Sequence, residues 1–258
     1  MNQSTQQPPT QKIALVTGSS RGIGAAIARR LAADGAAVVV HFNSGRERAQ
    51  ALVDEIRATG QEADLVGADL GQRDGPADLL ATLASTFGGR FAGRLDILVN
   101  NAGTFEYASL PDATDDSFDR LFNLNVRSVF QLSRHAARLM VTSGWGRIIN
   151  IGSVFGEAAP AAGMGVYCAT KFAVQGFTRA WSRDLGAQGV TVNNIQPAVV
   201  QAEPAPTSGP TFEAMKRFTS VGRFGKASEV AEMAAFLASE KAAFINGESI
   251  CVDGGWSA

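Results

Sequence analysis

Tyr167 and Lys171 stand four residues apart in the run Val166-Tyr167-Cys168-Ala169-Thr170-Lys171-Phe172. On a helix that spacing puts both side chains on one face, a turn from each other. A phenol beside an ammonium is a tunable acid, because the positive charge favours phenolate and draws the tyrosine pKa down from about 10. Upstream, Arg147-Ile148-Ile149-Asn150-Ile151-Gly152-Ser153 reads as a buried strand ending in a hydroxyl. That hydroxyl could share a carbonyl oxygen with the phenol. Such a set suits proton donation and needs a partner that brings a hydride. A Tyr–Lys pair also occurs on solvated helices, so the surrounding elements decide.

The first of these elements is a short apolar strand, Lys12 to Thr17, followed at once by Gly18-Ser19-Ser20-Arg21-Gly22-Ile23-Gly24 and a helix from Ala25 to Asp34. Strand, glycine turn and helix start together make a phosphate cradle. Bare backbone lets a ligand approach, and the helix N-terminus presents oriented N–H groups. A second buried strand, Ala37 to Phe42, ends in His41-Phe42-Asn43-Ser44-Gly45-Arg46. An NAD site often places a carboxylate there to bind the ribose 2′-OH. None is present, and Arg21 and Arg46 could pair with a 2′-phosphate, which favours NADP(H) and leaves NAD(H) possible. His41 reads as a strand-end histidine.

The pattern then repeats: a helix from Arg46 to Thr59, a strand from Ala63 to Ala68 closed by Asp69-Leu70, a helix near Pro76, and a fourth strand, Leu95 to Val99, running into Asn100-Asn101-Ala102-Gly103. Alternating β and α units with continuous apolar strands imply a parallel sheet covered on both faces. Ligands bind such sheets at the carboxyl ends of the strands, where each of these motifs falls. A long helix over Asp115–Val141 carries Asn125 on its apolar stripe, either as a satisfied buried amide or as a water-holding relay; His135 on it reads as a surface or interface residue. The Tyr–Lys helix runs to about Ala187, and Val190–Ile195 is the sixth strand. From Gln196-Pro197 the chain becomes irregular to about Gly222, with a short helical piece over Phe212–Phe218. Residues 198–222 suit a substrate lid. A helix over Ser228–Ala238 and a last strand, Ser249–Val252, lead to Asp253-Gly254-Gly255. The expected organisation is a frayed tail, 1–11, and one domain, 12–258.

Composition narrows the function. The 258 residues are 45% hydrophobic and 18% charged, with a net charge of −1, and no basic tract marks a nucleic-acid or membrane surface. No signal peptide or 18-residue apolar run is present, so a cytoplasmic protein is expected. Cys168 and Cys251 lie far apart, and no Cys/His cluster has metal-ligand spacing, so no metal site is expected.

With these pieces in order, the chain resembles the short-chain dehydrogenase/reductase family over nearly all of Lys12 to Trp256. The carriers are Thr17 to Gly24, Asp69, Asn100-Asn101-Ala102-Gly103, Asn125, Ser153, Tyr167-x-x-x-Lys171 and Asp253-Gly254-Gly255. Within the family it is most similar to the β-ketoacyl-acyl-carrier-protein reductases and related ketone reductases. The resemblance implies a three-layer doubly wound Rossmann fold with a mainly seven-stranded parallel sheet. It implies Tyr167 as general acid, Lys171 lowering its pKa and binding the nicotinamide ribose, Ser153 polarising the carbonyl and Asn125 holding a relay water. Cofactor contacts are implied at Gly18, Ser20, Arg21, Gly22, Ile23, Gly24, Asn43, Ser44, Asp69, Leu70, Asn101, Ala102, Gly103, Pro197 and Val200, besides Tyr167 and Lys171. Asp69 would accept from the adenine amino group, and Asn101 and Gly103 would line the adenosine side of the cleft. A homotetramer built on the helices Asp115–Val141 and Val166–Ala187 and the last strand is implied too.

Three positions depart from residues common in the family. Ala198 stands where a glycine usually follows Pro197, and Ala202 where a threonine usually touches the nicotinamide carboxamide. Asn43 stands where many NADP-preferring relatives have arginine. The leading expectation is NADP(H)-dependent reduction of a ketone, keto ester or β-ketoacyl thioester. An NAD(H)-linked secondary-alcohol dehydrogenase uses the same residues, and a nucleotide-binding sensor without turnover is a third reading. Val199, Val200, Phe212, Met215 and Phe218, with Phe105, Phe155 and Met164, imply an apolar substrate pocket by residue type.

Overall fold

The computed structural model describes residues 11–86, 93–159, 162–201 and 216–258. Their frame is a seven-stranded sheet of β1 (Ile13–Val16), β2 (Ala37–Phe42), β3 (Ala63–Gly67), β4 (Ile97–Asn100), β5 (Gly146–Ile151), β6 (Val190–Pro197) and β9 (Ser249–Val252). The order is β3-β2-β1-β4-β5-β6-β9, and every pairing is parallel. The order reverses between β1 and β4, which opens the crevice where such sheets take ligands.

Both faces of the sheet are covered, and the pleat shows it. Ala14 and Val16 of β1 join one core with α1 (Gly22–Ala33), α2 (Arg46–Ala58) and α7 (Ala227–Ala238). Ile13 and Leu15 join the other, with α3 (Gly75–Leu83) and α5 (Ser128–Ser143). Trp181 and Leu185 of α6 (Gly165–Leu185) pack against that second core. Alternate side chains point to opposite faces, so a strand buried on both must read as a continuous apolar run. β1, β2 and β5 are buried at every residue.

Two features differ from the sequence reading. The helix expected over Asp115–Val141 is α4 (Asp115–Phe122) and α5 joined by a π-helical turn, Asn123–Arg127, with Asn125 inside it. Periodicity alone cannot show one extra residue in a helical turn, which shifts the stripe without breaking it. Next, the segment after β6 is tied at its ends: β7 (Val200–Gln201) pairs in parallel with β8 (Gly225–Lys226), where irregular chain was expected. Of the helical piece expected over Phe212–Phe218, residues 212–215 lie outside the described residues, Lys216 is helical, and Arg217 and Phe218 form a turn. Ala202 also lies outside them. No helix of the described residues is long and apolar enough to cross a membrane.

Candidate active site

The glycine turn after β1 is built to approach its neighbours closely. Gly18 and Gly22 have φ of +61° and +59°, a region that disfavours side chains. Gly24 needs space instead: a Cβ there would lie 2.5 Å from Asn101 Nδ2 and 2.6 Å from the Gly18 carbonyl oxygen. The start of α1 has no side-chain cap and no acidic residue in its first turn. Its first N–H groups therefore lack helical partners and face the crevice as an anion site. These features fit the pyrophosphate of a dinucleotide.

Thr17 and His41, both outside the expected set, hold that turn together with Asn101, which is in it. Thr17 Oγ1 accepts from the backbone N–H groups of Asn101 and Ala102, each at 2.9 Å. The Asn101 side chain donates to the carbonyls of Thr17 (2.8 Å) and Gly18 (3.1 Å), so its amide clamps the turn across β4. His41 Nδ1 accepts from the Gly18 N–H at 2.9 Å, which makes Nε2 the protonated nitrogen, 3.1 Å from the Ala68 carbonyl. Burial lowers the His41 pKa from its ordinary 6.5 to about 4, so the ring is neutral. The sequence signal for His41 was a polar residue inside an otherwise apolar strand.

Around the crevice the other expected contacts divide. Asn43 and Ser44 are exposed past β2, as are Arg21 and Arg46. Ser20 lies beside this loop, its Oγ 3.3 Å from where a Gly45 Cβ would stand. Asp69 is exposed and Oδ1 accepts from the Gly71 N–H at 2.9 Å. The Leu70 side chain is buried in the core, which leaves only its backbone for the cleft. Ile23 and Val200 are partly buried against the core of the α1 face, Ala102 against the other, and Pro197 is buried at the end of β6.

On the opposite side of the crevice, Ser153, Tyr167 and Lys171 meet. Ser153 opens the 3-10 turn Val154–Gly156, where Oγ accepts from the Phe155 N–H at 3.2 Å, and its hydroxyl lies near enough to the Tyr167 phenol to lower that group's pKa. Lys171 is buried, its Nζ donates to the Ile151 carbonyl at 3.0 Å and lies 5.6 Å from the centre of the Tyr167 ring. Gly103 comes close as well: a Cβ there would stand 3.3 Å from Asn125 Oδ1 and 3.7 Å from Lys171 Nζ. Asn125, buried, accepts from the Thr104 N–H (2.9 Å) and donates to the Thr104 carbonyl (2.8 Å) and Thr170 Oγ1 (3.1 Å). Both amide donors are thus spent, and only Oδ1 retains a free lone pair. Thr170 in turn donates to the Tyr167 carbonyl at 2.7 Å, linking the π turn to the Tyr–Lys helix.

The electrostatics correct one expectation. Burial raises the Tyr167 pKa, opposed by the nearby Ser153 hydroxyl, whereas proximity to Lys171 was expected to lower it. Lys171 is itself desolvated, with its pKa lowered from 10.5 to about 8. Withdrawal from water penalises the charged form of each group, so phenol and amine are both pushed toward neutrality. Cys168 is buried, as packing requires.

A cavity of about 540 Å³ opens at the other end of the sheet, lined by Lys12, Arg30, Trp145, Glu232 and Glu240 among others. Arg30 pairs there with Glu232, and Trp145 donates to Glu240, so its polar groups satisfy one another. Among the described residues, no group of three or more His, Cys, Asp or Glu is placed to hold a metal ion.

Known proteins resemble this chain along nearly its whole length. The model of the short chain dehydrogenase family matches residues 12–211. The cyclic-di-GMP-binding biofilm dispersal mediator protein of Escherichia coli is 38% identical over 96% of this chain and 98% of its own. A 3-oxoacyl-[acyl-carrier-protein] reductase of Staphylococcus aureus is 36% identical over 95% of this chain and 97% of its own. A short chain dehydrogenase of Burkholderia cenocepacia, solved in complex with NADP, is 42% identical with a TM-score of 0.88, covering 96% of this chain and 98% of that one. The chain is an oxidoreductase belonging to the short-chain dehydrogenase/reductase family.

Proposed function

We propose that the chain reduces a ketone, keto ester or β-ketoacyl thioester with NADPH, with Tyr167 as the general acid. The observation that carries this reading is the meeting of Tyr167, Ser153 and Lys171 across the crevice from the uncapped start of α1. A bound nicotinamide cofactor supplies the hydride. Ser153 and Tyr167 would hold the carbonyl oxygen between their hydroxyls. As negative charge builds on that oxygen, Tyr167 gives it the phenolic proton, and C=O becomes CH–OH. Burial that raises the phenol's pKa keeps the proton on the donor until it is needed. Lys171, lowered to about 8, is a stronger acid than the phenol and stabilises the phenolate left behind. Asn125 positions the Tyr–Lys helix through Thr170 and, through the free lone pair of Oδ1, is the residue to hold a relay water.

NADPH is favoured by the absence of a carboxylate between Phe42 and Arg46 and by the exposed Arg21 and Arg46 beside that loop. The NADP complex of the Burkholderia relative supports the same choice. Residues 12–258 would act as one oxidoreductase domain, with 198–222 as the substrate lid and four copies per assembly. A second reading has a specific support: the E. coli relative named for cyclic-di-GMP binding favours a nucleotide-binding sensor.

Titration of the purified protein with NADPH and NADH, followed by NADPH oxidation with a ketone panel, separates these readings. Tighter NADPH binding and ketone-dependent oxidation are expected. Tyr167→Phe should lower kcat by about 10²- to 10⁴-fold with NADPH affinity little changed, since only the proton donor is lost. Nucleotide binding without turnover in the wild type would favour the sensor, and tighter NADH binding the NAD(H)-linked dehydrogenase.

A further inference from the structure

The rings around Tyr167 take no part in proton donation, and three separate segments deliver them. Phe105 and Tyr107 follow β4, Phe155 sits in the 3-10 turn after β5, and Trp256 follows β9. Phe105 lies 6.2 Å from Tyr167, centroid to centroid, with the planes 68° apart; Phe155 lies 5.9 Å away at 64°. Behind each stands a second ring. Tyr107 meets Phe105 at 5.7 Å and 87°, and Trp256 meets Phe155 at 5.7 Å and 34°. Phe105 and Tyr107 are 60% and 62% exposed, so bare aromatic surface runs up to the phenol. Single exposed apolar side chains need no explanation, but a contiguous patch at a reaction centre marks a binding surface.

Trp256 is not on a loose end. The Asp253 carboxylate accepts from the Gly255 N–H (3.0 Å) and from the Ser257 N–H (2.9 Å) and hydroxyl (2.5 Å). Ser220 Oγ donates to the Gly254 and Gly255 carbonyls, and the Val221 N–H to that of Gly254. Gly254 and Gly255 have φ of +63° and +75°, and a Cβ on Gly255 would fall 1.9 Å from Ser220 Oγ. This hook fixes the backbone that aims the indole at Phe155.

We propose that Phe105, Phe155 and Trp256 form the substrate-recognition wall, with Trp256 a specificity-determining residue, and that the substrate is an aryl ketone. The inference rests on the carbonyl-reduction reading for the position of the reacting group. The T-shaped contacts of Phe105 and Phe155 with Tyr167 present positive edges and negative faces, which a flat aromatic substrate can complete and an aliphatic chain cannot. Each such pair adds roughly two- to tenfold in affinity beyond apolar burial.

2-Tetralone and 2-decalone share a bicyclic skeleton and differ in aromaticity, so their dissociation constants, measured by calorimetry on the NADP⁺-loaded protein, isolate the ring contribution. The wild type should bind 2-tetralone about tenfold more tightly. Trp256→Ala should bring the two within about threefold, and Trp256→Phe should restore most of the preference, both with unchanged NADPH affinity and melting temperature. Should Trp256→Ala fail to fold, Phe105→Leu makes the same test from the other wall. Equal affinities in the wild type, binding of neither ketone, an unchanged ratio in the variants, or tighter binding of an acetoacetyl thioester would each overturn the inference. Selective 2-tetralone binding with no NADPH consumption would leave it standing and sink the carbonyl-reduction reading instead.

Discussion

Lys171 and His41 are the two buried bases of the crevice, and burial acts on them in the same direction. Both have pKa values below their ordinary ones, to about 8 and about 4. Lys171 keeps one donor on the Ile151 carbonyl and its charge beside the phenol. For His41 the neutral ring is a structural need, because Nδ1 must accept from the Gly18 N–H. In the unfolded chain the ring protonates near pH 6.5, well before the folded protein takes up the same proton. His41 therefore contributes stability that is fully present above about pH 6.5 and is lost as the pH falls toward about 4. Thermal unfolding of the wild type should lose more in midpoint between pH 7 and pH 5 than His41→Asn does. The carboxylates and His135 are common to both proteins and cancel in that comparison. Parallel loss in the two would show that His41 does not carry the linkage.

At the level of elements, the turn between β1 and α1 depends on the absence of atoms. Gly24 has no unusual backbone angle, so its requirement is space between Asn101 and the Gly18 carbonyl. Neither neighbour can yield, since Gly18 is held by His41 and Asn101 is tied to Thr17. Gly24→Ala should destabilise the fold by about 1–3 kcal/mol, the usual cost of overpacking. NADPH affinity should fall with it, because the same displacement disturbs the N–H groups at the start of α1. Calorimetric melting and an NADPH titration check both; an unperturbed variant would mean that the turn relaxes freely. The π turn is the corresponding device in the next layer. It buries Asn125 between the Thr104 backbone and Thr170, so the segment after β4, the α4–α5 junction and the Tyr–Lys helix share one set of hydrogen bonds.

Across the whole molecule, the faces of α4, α5 and α6 away from the core carry exposed aromatic side chains. Phe118, Phe130 and Phe172 are each 40–46% exposed. Exposed apolar surface of this kind on neighbouring helices suits association with further copies of the chain. Light scattering after size exclusion should give a particle of four chains. Replacing Phe130 and Phe172 together by glutamate should reduce it to smaller species, and a monomeric wild type would refute the assembly.

Most of the fold was legible in the residues. Continuous apolar strands alternating with helices specify a parallel sheet buried on both sides, and the glycine spacing after Thr17 specifies a close backbone approach before a helix. The candidate chemistry was legible as well, since Tyr167 and Lys171 need only one helical turn to come together. Three things were decided only by tertiary structure. The π turn arises from packing that local periodicity does not encode. The upward push on the Tyr167 pKa is set by how completely the folded chain excludes water around the phenol, which outweighs the opposing pull of Ser153. The junction of Phe105, Phe155 and Trp256, residues up to 151 positions apart, exists because the parallel strands β4, β5 and β9 all end on the carboxyl side of the sheet, within one half of its strand order. Spacing along a chain determines local partners, whereas dielectric and long-range contacts are properties of the assembled fold.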